Sequence, residues 1–240
     1  MTSFPIQMLW VRGQLSPLEQ LAMRSFLEHG HQVHVYTDED RLAGLPDGAT
    51  QMSASEVLRW DPAFDKQATG HPTFADLFRY TLLAKKGGWW CDCDVIALRP
   101  FPRPKHVLFA SERHGDGKAY PMPSVLFAEP GDPVMCHLRD TALSRDPASI
   151  QWCELGPDLL RRVVKEQGLQ DRVADAAAFC PLDMADWLNA ILPGKAPEFG
   201  VNSFAVHLWH EIWKRHRVPK DQPYPPNCLF EILKRRYGVL

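Results

Sequence analysis

The sequence predicts an α/β fold, a mainly parallel central sheet flanked by helices, in a single domain spanning residues 1–240. Three observations carry that prediction. A strand, an amphipathic helix and a second strand succeed one another within residues 6–37. A further amphipathic helix runs directly into the apolar stretch "GGWWCDCDVIAL", and two later apolar runs, "HVLFA" and "SVLFA", precede another helical pattern.

The elements follow in order. Ile6 to Val11 reads as a short strand. In the "SPLE" that comes next, Ser16 is the N-cap, Pro17 the first helical residue and Glu19 the closing member of a capping box. Leu18, Leu21, Ala22 and Phe26 recur at helical spacing, Gly30 stops the helix, and "QVHVYT" alternates as a strand does. A strand, crossover and strand of this length closes right-handed onto a parallel sheet. No G-x-G-x-x-G follows the first strand, so a dinucleotide fingerprint is excluded.

Residues 45–72 read as irregular, punctuated by Pro46, Gly48, Pro62, Gly70 and Pro72. The next helix is expected to start at Thr73 as N-cap. Phe74, Leu77, Phe78 and Leu82 form its apolar stripe, Lys85 and Lys86 suit its negative end, and Gly87 closes it. Asp76, Arg79 and Leu83 share a neighbouring face. "GPDLLRRVVKEQGL" reads as a helix with Leu159, Leu160, Val163 and Val164 inward.

Composition narrows the function. With 45% hydrophobic and 23% charged residues the chain can bury a sizeable core. A net charge of −2 gives no global basic field, which argues against a nucleic-acid partner. The first residues, "MTSFPIQMLW", do not read as a signal peptide, and no apolar run reaches the length of a membrane span, so the expected location is cytoplasmic. Six cysteines without C-x-x-C pairs are expected to be reduced. From His207 onward, Lys or Arg at 214, 215, 217, 220, 234, 235 and 236 face three acidic residues. This basic tail, 216–240 with its approach, predicts either contact with an anionic membrane face or a solvated helix.

The chemistry concentrates in Asp92 and Asp94. If the strand continues through them, Trp90, Asp92 and Asp94 point to one side and Cys91, Cys93 and Val95 to the other. Two ionised carboxylates converging near a strand end need solvent, a cationic partner or a metal. A polar strand end with salt bridges is the plainer alternative, and D-x-D alone does not decide between them.

The surrounding residues do. "FADLFRYTLLAKKGGWWCDCDV" resembles the DXD sugar-binding region of the glycosyltransferases that include clostridial toxin glucosyltransferase domains, yeast mannosyltransferases and lipid α-1,4-galactosyltransferases. Asp76, Arg79, Gly87, Gly88, Trp90, Asp92 and Asp94 match, and Ala75 replaces the usual Ser. "QMLWVRG", with Arg12 intruding before Gly13, resembles the family's opening, "ELGPDLL" its Gly-Pro helix start, and "AVHLWHEIW" its late His-x-Trp segment.

The resemblance implies a GT-A, Rossmann-like domain and a metal-dependent, retaining transfer of a sugar from a nucleotide sugar, most often a UDP-sugar with Mn²⁺ or Mg²⁺. It implies Asp92, Asp94 and His207 as metal ligands, with His210 as the alternative histidine. Trp10, Asp76, Arg79, Trp90 and Asp92 would bind the donor, and Asp76, Arg79, Asp92 and Asp94 would serve catalysis. Residues 1–110 would form the donor half and 111–215 the acceptor half. Glu154 and Asp158 are candidates to meet the acceptor, a glycan or a lipid-linked saccharide of a bacterial surface-polysaccharide pathway. Two other readings compete: a haloacid dehalogenase-like phosphatase, which lacks its G-D-x-x-x-D here, and a nucleotide-sugar-binding protein without turnover.

Overall fold

The computed structural model describes residues 4–66 and 70–239. Eight strands occur among them: β1 (Ile6–Leu9), β2 (Val33–Thr37), β3 (Ala49–Ser53), β4 (Gly88–Cys91), β5 (Val95–Ala97), β6 (Leu108–Arg113), β7 (Ala119–Ala128) and β8 (Ala205–His207). The helices are α1 (Pro17–Glu28), α2 (Gly70–Lys86), α3 (Pro133–Leu143), α4 (Leu159–Glu166), α5 (Ala176–Phe179), α6 (His210–Arg215) and α7 (Leu229–Arg236). Six strands form one sheet in the order β3-β2-β1-β4-β7-β6, and β5 pairs with β8 in a second, two-stranded sheet. β3, β2, β1 and β4 run parallel, while β7 is antiparallel to both β4 and β6.

Successive residues of the central strands serve two cores. Ile6, Met8, Trp89, Cys91, Val125 and Phe127 face a layer that includes α1, β5, β8 and α7. Leu9, Trp90 and Leu126 face the opposite layer, built on α2, α3 and α4. The capping box on α1 is present: the Ser16 hydroxyl accepts from Leu18 N–H, and the Glu19 carboxylate accepts from Ser16 N–H at 2.8 Å.

Three local expectations are corrected. α2 begins at Gly70, so Thr73 lies buried within the helix rather than at its cap, and Pro72 is accommodated near its start. The irregular stretch contains β3, a polar edge strand paired with β2. Its sequence "ATQMS" carries no apolar run because it has a single strand neighbour and stays only partly buried. The C-terminal segment is also more than a basic tail. Leu229, Phe230 and Leu233 are buried, and the Tyr237 hydroxyl donates to the Ala97 carbonyl at 2.7 Å. Lys220 pairs with the buried Glu19, and Lys234 with Glu231 at 3.0 Å. No helix among the described residues is long and apolar enough to cross a membrane.

Candidate active site

β4 ends at Cys91, and the acidic pair sits in the turn that follows. Asp92 N–H donates to the Ser124 carbonyl at 2.9 Å, which carries the β4–β7 pairing one residue further. Val95 N–H then donates to the Asp92 carbonyl at 3.1 Å and closes the turn. Convergence of Asp92 and Asp94 therefore comes from a turn between two sheets, not from the pleat of one strand.

The second sheet supplies the third group. Antiparallel pairing sets His207 opposite Val95, beside Asp94, and Leu208 N–H donates to the Asp94 carbonyl at 2.9 Å. His207 Nε2 lies 3.1 Å from Asp94 Oδ2, which also accepts from His210 N–H at 2.8 Å. Asp92, Asp94 and His207 each offer one ligand atom, all within 4.8 Å of one another. His210 contributes its backbone rather than its ring. Cys180 Sγ, 3.8 Å from His207 Nδ1, holds the other edge of the imidazole.

Helical spacing on α2 brings Asp76 and Arg79 to the same place. The Arg79 guanidinium is fixed by the Pro123 carbonyl at 2.9 Å and the Ala75 carbonyl at 3.2 Å, and it lies over the Trp90 ring. From there it stands 3.5 Å from Asp76 and 3.4 Å from Asp92. Trp90 Nε1 donates to Asp92 Oδ1 at 2.8 Å. Trp90 is buried and is not among the residues lining the cavity that Asp92 and Arg79 share; its indole holds Asp92 in place.

Burial and crowding set the charges. Burial pushes the Asp76 carboxyl up to about 6, opposed by Arg79 and reinforced by Asp92. Burial likewise raises Asp92, against the pull of Arg79. At Asp94 burial is outweighed by His207 and His210, and its pKa falls below the usual carboxylate range. His207 is the reciprocal case: burial disfavours its charge, yet Asp94 holds it well above the ordinary histidine value.

Asp76, Arg79, Asp92, Asp94 and His207 line one cavity of about 430 Å³. Trp10 lies past the carboxyl end of β1, the strand beside β4, and lines a second cavity of about 280 Å³ with Arg12, Asp38, Glu39 and Trp60. Its indole N–H donates to the Gly13 carbonyl at 2.8 Å, and the Lys220 ammonium lies over its ring. β2 lies on one side of β1 and β4 on the other, so this is where the strand order reverses and where open α/β sheets bind ligands. Of the two acceptor-side candidates, Asp158 lines the main cavity. Glu154 is instead tied to Arg145 at 2.6 Å and to Gln151 N–H at 2.9 Å. Sequence reasoning missed Glu112, His114, Trp152 and Arg161, which complete the main cavity's wall. A polar residue closing the apolar run "HVLFASE" was the available signal for Glu112.

Residues 20–113 match the family described as a glycosyltransferase sugar-binding region containing a DXD motif. The fold resembles that of a solved "PaToxG Glycosyltransferase", at 15% identity and a TM-score of 0.53, covering 99% of this chain and 86% of that one. It also resembles the UDP-bound glycosyltransferase domain of the YGT toxin, at 8% identity and a TM-score of 0.55, over 77% of this chain and 81% of that one. No curated protein matches the sequence. Residues 20–113 thus match the DXD sugar-binding region of the glycosyltransferases, the D-x-D turn lies inside that match, and the fold around it is the GT-A fold that these solved glycosyltransferase domains share.

Proposed function

We propose that the protein moves a sugar from a UDP-sugar to a glycan or lipid-linked acceptor, with retention of configuration, using Mn²⁺ or Mg²⁺ held by Asp92, Asp94 and His207. One observation carries the reading: two carboxylates and an imidazole within 4.8 Å, lining the main cavity. The donor set fits a hard divalent cation, with oxygen ligands and one imidazole held by a neighbouring thiol. Such an ion, when bound, supplies charge to stabilise a departing diphosphate.

The chain's own residues do the rest. Trp10 offers its ring to the base, a contact worth about 1–3 kcal/mol by analogy with base–aromatic stacking. Arg79 faces the diphosphate and Asp76 a sugar hydroxyl, both immobilised before the ligand arrives. No step needs a protein nucleophile if the leaving diphosphate accepts the acceptor's proton on the same face. The solved YGT domain that resembles this chain is UDP-bound, which supports the choice of nucleotide. Exposed Lys214, Arg215, Arg235 and Arg236 support a working place at an anionic membrane face, as in surface-polysaccharide synthesis.

A panel of UDP-, GDP- and CMP-sugars with and without Mn²⁺ tests the reading. UDP release restricted to UDP-sugars and to metal-containing reactions is expected. Full turnover in the presence of a chelator removes the metal from the proposal.

A further inference from the structure

Glu112 is a buried carboxylate that the donor-side residues leave unused. It stands on β6 and lines the same cavity as Asp92, Asp94 and His207. Its Oε2 is buried with no hydrogen-bond partner, while its Oε1 lies 2.9 Å from His114 Nε2 and 3.9 Å from Arg161 Nη2. That same His114 Nε2 is 3.2 Å from Arg161 Nη2. One ring nitrogen either donates to Glu112 or accepts from Arg161 and cannot do both. The carboxylate is therefore under-satisfied in either tautomer, a costly state for a buried group unless a ligand completes it.

The chemistry of the wall selects that ligand. The unpartnered carboxylate oxygen is an acceptor site, and the ligand that completes it brings a donor. Asp76, Asp92 and Asp94 already line this cavity, and a neutral hydroxyl adds no further charge. Trp152, 42% exposed, lines the same cavity, and the Arg215 guanidinium lies 4.9 Å from its ring centroid. A hydrogen-bond acceptor beside a partly exposed indole, one face of which Arg215 covers, is suited to a sugar ring, polar at its hydroxyls and apolar across its C–H face. Position assigns the side. Along the sheet the order β1-β4-β7-β6 sets Trp10 at one end, the D-x-D turn next and Glu112 at the other. A donor spanning Trp10 and Asp92 therefore leaves the β6 end for the second substrate.

We infer that Glu112, held by His114 and Arg161, receives a hydroxyl of a saccharide acceptor whose ring rests on Trp152. This rests on the transferase reading above. The test uses whichever UDP-sugar the wild-type protein turns over, with Mn²⁺, and a panel of methyl glycosides of glucose, galactose, mannose and N-acetylglucosamine. At least one glycoside should accelerate UDP release by the wild-type protein. Glu112→Gln should raise the KM for that glycoside about tenfold or more, with Glu112→Asp in between, while the Kd for UDP with Mn²⁺ stays at the wild-type value. Wild-type release indifferent to every glycoside overturns the saccharide assignment. An unchanged glycoside KM in a folded Glu112→Gln protein, or UDP binding lost along with it, overturns the role of Glu112. Failure of the wild-type protein to bind UDP or turn over any donor instead overturns the parent reading, and this subsite with it.

Discussion

At Asp76 burial carries a cost that can be measured without any ligand. Burial first, then the nearby Asp92, raise its pKa to about 6 from an ordinary 3.8, with Arg79 opposing. A raised folded-state value means the native protein holds this proton more tightly than the unfolded chain. The corresponding stability is fully present below about pH 4 and is lost as pH rises through 6. Asp76→Asn should therefore stabilise the metal-free protein at pH 7.5, by on the order of 1–3 kcal/mol, and not at pH 4. Denaturant melts at the two pH values check this, and an equal effect at both would count against it. Gly156 acts on the same carboxylate. A β-carbon there would lie 2.7 Å from both Asp76 oxygens, so Gly156→Ala must displace Asp76 from its position. UDP-sugar affinity should fall about tenfold, with the melting temperature little changed, as titration calorimetry would show. Asp76, Arg79, Asp92 and Asp94 were legible through the resemblance of one short stretch to a known motif, which α2 and the strand leading into the turn keep contiguous in sequence. Glu112 and Trp152 were not, because a hairpin and a loop far along the chain carry them to the cavity.

Elements with a local cause were the readable ones. α1 shows its start in "SPLE", and β1, β2 and β4 are apolar because both layers cover them. β3 was hidden by its place at the sheet's edge, and the D-x-D turn by the continuing apolar run on either side of it. The junction between α2 and β4 is the most constrained of these boundaries. Gly87 has φ 63°, and a β-carbon on it would come within 2.5 Å of the Pro130 nitrogen and Cδ. Backbone on one side and a ring on the other leave nothing to yield. Gly87→Ala should destabilise the protein by about 3 kcal/mol or more. It should also lower metal affinity, since it tilts the strand that carries Asp92. A chemical-denaturation midpoint matching wild type would refute this account of the turn.

On the scale of the whole molecule, the Asp92–Asp94–His207 cluster proposed to hold the metal ties together parts that the sequence keeps far apart. Asp94 follows β4, and His207, 113 residues later, ends β8. A cation bound to Asp92, Asp94 and His207 therefore joins the central sheet to the small second sheet, and binding only the folded chain it must stabilise the whole domain by mass action. At a hundredfold excess over Kd the gain is about 2.7 kcal/mol. For a chain of this size that corresponds to a rise in Tm of about 5–10 °C. Mn²⁺ should produce this shift in the wild-type protein, and chelator should reverse it. His207→Ala and Asp94→Asn should each lose most of it, although each variant also breaks the Asp94–His207 contact and starts from a lower Tm. Measuring the Mn²⁺-induced difference, rather than Tm itself, separates the two effects. A shift of wild-type size in both variants would mean that the ion binds elsewhere, and the three-residue cluster would then be a buried ion pair serving the fold.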